Sequence, residues 1–143
     1  MKMKLGLSAA ALALVSTLAT AGFLQPAPVL ITVNGDGSGL AQGDMVTARF
    51  APNTVELIGC GTRTIDDGAG GVFNFGFCQA TDAGGVQGFC NTTRADLLEA
   101  LHATGDFSFI TFAWDVNGEC TRIGTSTQSF YIPDFFANKP GKK

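Results

Sequence analysis

The chain is poor in the residues on which most catalysis and nucleic-acid binding rest. Among its 143 residues there is one histidine, one tryptophan and one tyrosine, and Lys and Arg together number nine. Bases this few and this scattered cannot neutralise a run of phosphates, so a nucleic-acid binder is excluded. Heptads, repeats of solenoid period and basic patches are missing, and with them coiled-coil and repeat architectures. There is no Gly-x-Ser-x-Gly elbow.

What is abundant is glycine, 19 residues, and phenylalanine, 12 residues. With a tenth of the chain aromatic and only 15% charged, a charge-dominated disordered polymer is also excluded. The length fits one small domain.

The first residues read as an address. Met1-Lys2-Met3-Lys4 is a cationic head, Leu5 to Leu18 is a mostly apolar run, and Ala19-Thr20-Ala21 offers the small-x-small pattern of a signal-peptidase site. The run is shorter than the roughly 20 residues that span a bilayer, so cleavage before Gly22 is expected rather than anchoring. No cysteine follows it to accept a lipid, and no later segment is apolar enough to span a membrane. Removing residues 1–21 takes two of the nine bases and none of the twelve acids, leaving a mildly acidic chain of about −5. The expected organisation is a signal peptide over 1–21, one exported domain over 22–134 and a flexible tail over 135–143. The location that follows is a periplasm or the extracellular space.

Cys60, Cys78, Cys90 and Cys120 are even in number and separated by 18, 12 and 30 positions. Zinc sites want ligands two to four residues apart, and the single His102 adds little, so no metal is expected here. In an exported chain the default is two disulfides. If Asp82 to Val86 and Gly68 to Gly71 are hairpin turns, Cys60, Cys78 and Cys90 fall in one row across three strands. Two connectivities fit that row, Cys60–Cys78 with Cys90–Cys120 and Cys78–Cys90 with Cys60–Cys120. The second is preferred because it ties the early strands to the last hairpin.

Val29–Val33 reads as a first strand, the glycine-rich residues 34–43 as a loop and Met45–Phe50 as a short second strand. Thr54–Ile65, Val72–Thr81 and Val86–Asn91 follow as a meander with two unlike faces. Val55, Leu57, Ile65, Phe73, Phe75, Phe77 and Phe89 share one face. Ile58, Cys60, Gly76, Cys78, Ala80, Gly88 and Cys90 share the other, a small-residue surface that lets an element approach closely. A helix is the expected visitor. Thr93-Arg94-Ala95-Asp96 resembles a capping box, Leu97, Leu98 and Leu101 make one apolar stripe, and Gly105 ends it. Phe107–Val116 and Glu119–Tyr131 flank Asn117-Gly118, a strong hairpin signal in which both turn residues tolerate positive φ. That turn sets Ile110, Phe112 and Trp114 opposite Thr125, Ile123 and Thr121. The fold expected is α+β and mostly β: an antiparallel meander plus a C-terminal hairpin, one short helix and disulfide staples.

Asn34, Asp36 and Ser38 space oxygen ligands as the first half of a calcium loop does, but position twelve is Met45 rather than a glutamate. The alternative is a plain Gly-Asp turn. Phe73, Phe75 and Phe77 could form an aromatic platform, although such a ladder more often faces a core, and the core is preferred. Thr121, Thr125, Thr127 and Ser129 could offer hydroxyls to a glycan or another flat polar partner, against the plainer reading of an exposed strand. His102 with Glu99 could be half of an acid–base pair, against the commoner surface histidine. Asp66-Asp67 reads as a solvated turn, and Arg49, Arg63, Arg94 and Arg122 as partners of the surplus acids. Asn91-Thr92-Thr93 is a glycosylation sequon, relevant only in a cell that glycosylates.

The function this supports is a small exported, disulfide-stabilised, non-catalytic component that binds a protein or a glycan or plays a structural role. It implies no cofactor and no nucleic acid. Two alternatives stand beside it: a small secreted hydrolase using His102, and a secreted inhibitor or effector presenting loop 34–43 or 66–71.

Overall fold

The structure, a computed structural model, describes residues 23–133; the expected leader 1–21 and tail 135–143 lie outside the described residues. The fold is α+β and mostly β. Among the described residues seven strands, β1 (Leu30–Val33), β2 (Gly39–Asp44), β3 (Leu57–Asp66), β4 (Val72–Thr81), β5 (Gln87–Thr92), β6 (Phe109–Trp114) and β7 (Cys120–Ser126), form two antiparallel sheets. One has the order β1-β2-β6-β7, the other β3-β4-β5. Among the described residues two helices accompany them, α1 (Met45–Arg49) and α2 (Ala95–His102), with a 3-10 turn at Ser129–Tyr131.

One turn design recurs in all four hairpins. Asn34, Asp67, Asp82 and Asp115 each open a five-residue turn, donating their N–H to the carbonyl of the fifth residue at 2.8–3.1 Å. The fourth residue is always a glycine with positive φ: Gly37, Gly70, Gly85 and Gly118. This is a turn closed by a left-handed residue, the arrangement that lets three-residue hairpin loops match strand twist. The aspartates reinforce it, since each accepts the N–H of the residues two and four positions on: Ala69 and Gly71 for Asp67, Gly84 and Val86 for Asp82, Asn117 and Glu119 for Asp115. The spacing Asx-x-x-Gly is therefore the sequence signal. It corrects the two-residue reading of Asn117-Gly118, because Asn117 does not take a positive φ. The pairs Ile110–Thr125 and Phe112–Ile123 stand as expected, but a bulge sets Trp114 opposite Cys120 instead of Thr121.

Two elements differ from the sequence reading. Residues 39–44 are not loop but the inner strand β2, paired to β1 on one side and β6 on the other. Gly39 is there for close approach, since a β-carbon on it would fall 2.8 Å from Trp114 Cε2. Residues 45–49 are a helix rather than a strand, because Asp44 caps it: its carboxylate accepts the Thr47 N–H at 2.7 Å. The α2 helix forms where expected, yet its N-cap is Arg94 with no side-chain bond, so Thr93 does not cap it. Thr92 Oγ1 instead accepts the Arg94 N–H at 3.2 Å.

The core lies between the sheets. Ile110, Phe112 and Trp114 of β6 point into it with Cys78, Ala80 and Cys90 opposite, all under 10% exposed. Trp114 rests on two glycines, Gly39 of β2 and Gly88 of β5, and its Nε1 donates to the Gly37 carbonyl at 2.9 Å. Leu101 and Leu98 of α2 press on Gly76 of β4, where no β-carbon could fit. The small-residue face thus receives a helix, as expected, and an indole besides.

The disulfides are Cys60–Cys78 and Cys90–Cys120. The expected row is present, with Cys78 directly opposite both Cys60 and Cys90. The preferred pairing Cys78–Cys90 with Cys60–Cys120 is nevertheless incorrect. A parallel bridge between Asn91 and Glu119 lays the start of β7 beside β5, bringing Cys120 to Cys90 with 5.0 Å between Cα atoms. Cys60 lies two strands further away. Three strand spacings of about 4.8 Å put Cys60 and Cys120 roughly 14 Å apart, twice the reach of a disulfide.

Candidate binding face

The registers Ile65–Phe73, Arg63–Phe75, Gly61–Phe77 and Gln79–Phe89 gather the large apolar residues of β3, β4 and β5 on one side. That side faces outward. Phe73 and Phe89 are each 53% exposed, Ile65 49% and Leu57 41%. The expectation that the Phe73, Phe75 and Phe77 ladder is core is therefore overturned, and the reason is volume. Ile110, Phe112 and Trp114 fill the space between the sheets, and the facing side meets them mostly with Gly, Ala and Cys, with Ile58 and Thr92 the larger residues buried there.

The rings are ordered into a platform. Phe73 and Phe75 stack with centroids 5.8 Å apart and 27° between planes, and Phe77 continues the row 6.3 Å beyond Phe75. The Phe77 ring covers Gly61 of the neighbouring strand, and the Arg63 guanidinium sits 5.1 Å from its centroid. Arg63 is the one charged residue whose register places it on this face, which carries no acid. Gln79, Gln87 and Asn91 supply amides around the rings. Beside them β3 is an edge strand of its sheet.

The other candidate residues are not brought together. Asn34, Asp36 and Ser38 form the β1–β2 turn and satisfy one another: Asp36 Oδ1 accepts from Ser38 N at 2.9 Å and Oγ at 2.7 Å, and Asn34 Nδ2 donates to Ser38 Oγ at 2.9 Å. These bonds, the Ser38 hydroxyl first, hold the Asp36 carboxyl below the usual range. Thr121 sits in the β6–β7 bulge, Thr125 on the inner side opposite Ile110, Thr127 against Gly105 and Ser129 in the 3-10 turn, so the four hydroxyl residues do not share a surface. His102 is exposed at the end of α2 and has no hydrogen bond to a carboxylate or hydroxyl among the described residues. Of the four arginines only Arg94 ion-pairs, with Asp96, among the described residues, and both partners are more than half exposed. Asp66 and Asp67 bond to backbone N–H groups of their own turn.

Two disulfides are consistent with folding in an oxidising compartment. No helix among the described residues is long and apolar enough to cross a membrane. No protein-family model, curated protein or solved structure matches the chain, so the functional reading rests on its own geometry.

Proposed function

We propose that this is an exported, non-catalytic binding protein, secreted or periplasmic, and that the outer face of the three-stranded sheet docks a protein partner. Residues 1–21 have the pattern of a leader, and both cysteine pairs are oxidised. The observation that carries the reading is the composition of the face. It exposes Phe73, Phe89, Ile65 and Leu57 around Arg63 and has no acid, in a chain with twelve acids. Aromatics and arginine enriched, with lysine and acids depleted, is the signature of protein interfaces. The outer edge of β3, which pairs with no strand among the described residues, adds main-chain donors and acceptors for an extended partner segment.

The test is a double variant, Phe73→Ser with Phe89→Ser. Both side chains are half exposed, so the fold should lose little. Cross-linking in the envelope or culture fluid of the source cell, followed by identification of the captured protein, should give a partner with the parent chain and none with the variant. Equal capture by both chains would refute the assignment. A glycan array reads the other source: sugar binding that survives in the absence of any protein partner would replace the protein reading by a glycan one.

A further inference from the structure

The cysteines stand in a line that crosses both sheets. Cys78 of the central strand β4 is directly opposite Cys60 of β3 on one side and Cys90 of β5 on the other, and Cys90 is bonded onward to Cys120 of β7. Residues directly opposite across antiparallel strands share a face and keep their Cα atoms about 4.5–5.5 Å apart. That lies within the roughly 4.4–6.8 Å that a disulfide bridges. Cys78 is therefore placed to bond either neighbour with no change of strand register.

The two ends of the line differ in access and in what they hold. Cys60 is partly exposed, on a strand that pairs on one side only among the described residues. Cys78 and Cys90 are 0% exposed and Cys120 2%, so a reagent in solvent meets the line at Cys60. The bond Cys60–Cys78 joins two strands of one sheet that are already paired, whereas Cys90–Cys120 joins the two sheets. A crosslink moved from Cys90–Cys120 to Cys78–Cys90 would untie the sheets and still staple one of them.

We propose that this row is a redox relay, in which Cys60–Cys78 is the port through which a dithiol reductant reaches the buried staple and releases Cys120. One thiolate of the dithiol attacks Cys60 Sγ, the Cys60–Cys78 bond breaks, and its electron pair leaves on Cys78 Sγ. The second thiol of the reductant then closes a cyclic disulfide and expels Cys60 as a thiol. Cys78 Sγ attacks Cys90 Sγ, the Cys90–Cys120 bond breaks, and Cys120 leaves as a thiolate that takes a proton. One dithiol is oxidised, Cys60 and Cys120 end as thiols, and Cys78–Cys90 is the remaining crosslink. The relay is independent of the partner-binding face, because the cysteine row lies on the opposite side of the sheet from the phenylalanines.

The test treats the full oxidised chain with dithiothreitol under native conditions, quenches aliquots with N-ethylmaleimide in denaturant and maps the peptides without reduction. The first reduced species should carry the label on Cys60 and Cys120 together, with Cys78 linked to Cys90. A second measurement follows Cys120 labelling in Cys60→Ala with Cys78→Ala, checked as folded by Trp114 emission before the reductant is added. Without its port, the variant should release Cys120 roughly tenfold or more slowly than the parent, although it is the less stable chain and a route through unfolding would make it faster. Labels on Cys60 and Cys78 beside an intact Cys90–Cys120 in the first reduced species of the parent would overturn the proposal, whether or not the variant folds. Release of Cys120 from a folded variant as fast as from the parent would overturn it too.

Discussion

Removing the two disulfides one at a time tests the physical account of this fold most directly. Cys60–Cys78 closes a segment of 18 positions and Cys90–Cys120 one of 30. The two loops do not overlap, so the restrictions they place on the unfolded chain add. Chain-entropy arithmetic gives about 3 kcal/mol for the first and about 4 kcal/mol for the second. Together they rival the whole stability of a small domain, about 5–15 kcal/mol. The second pair also packs in the core, Cys90 at 0% and Cys120 at 2% exposure, so its loss removes contacts as well.

Cys60→Ala with Cys78→Ala should therefore stay folded and lose about 3 kcal/mol. Cys90→Ala with Cys120→Ala should lose more than about 4 kcal/mol, and the variant lacking all four cysteines should be largely unfolded at 25 °C. Urea titration followed by Trp114 emission measures this, because the single tryptophan is 7% exposed and its environment reports the core. Non-reducing peptide mapping of the parent chain establishes the starting connectivity. A smaller loss from Cys90–Cys120 than from Cys60–Cys78 would refute the reasoning, as would a cysteine-free variant still within about 2 kcal/mol of the parent.

Other substitutions separate packing from polar effects. Asp44 is 1% exposed and its carboxylate accepts from Ala27 N at 2.6 Å and from the Thr47 amide and hydroxyl, so Asp44→Ala should cost about 2–3 kcal/mol in urea unfolding. Gly88→Ala would place a methyl 2.7 Å from the Trp114 ring and should cost about 1–3 kcal/mol with a shifted emission maximum. Gly59→Ala meets nothing within 4 Å and should change stability by less than about 0.5 kcal/mol. Backbone donors hold the Asp67 and Asp115 carboxyls below their ordinary 3.8: Ala69 and Gly71 for the first, Glu119 and Asn117 for the second. A carboxyl whose folded value is depressed stabilises the fold above its unfolded value and ceases to do so as pH falls through the folded one. Stability should thus be level near neutrality and decline below about pH 4, and Asp115→Asn should flatten part of that decline in acid-unfolding curves.

Where the backbone decides, the sequence was readable. Strands β3 to β5, their turns, the three-cysteine row and the packing of a helix on Gly76 follow from alternation and turn chemistry. The misreadings have specific causes. Gly39 and Gly43 looked like loop, yet they are strand glycines whose missing side chains admit Trp114 and Val29. The β-branched Val46 and Thr47 suggested a strand, yet a single cap from Asp44 outweighed them. Connectivity turned on the β5–β7 bridge, a contact between residues 28 positions apart that no local pattern announces.

The binding face was concealed by a sound rule applied to the wrong side of a sheet. A row of phenylalanines opposite a row of Gly, Ala and Cys offers two hydrophobic faces, and area burial alone favours hiding the phenylalanines. The choice is made by the partner sheet. Close packing demands that facing surfaces be complementary in size, and β6 already delivers Ile110, Phe112 and Trp114 to the interior. Only the small face can meet them: a β-carbon at Gly88 of β5 would already collide with the indole, and a phenylalanine row far more so. Leaving the larger rings in water costs stability that the two disulfides offset, and a sheet held by crosslinks can keep on its surface an aromatic face that a small domain of this kind would otherwise need for its core. On that reasoning the crosslinks and the exposed phenylalanines are one design. Phe73→Ser and Phe89→Ser should then leave the stability of the parent unchanged to within about 1 kcal/mol, and a large loss of stability would show instead that the face is a second core.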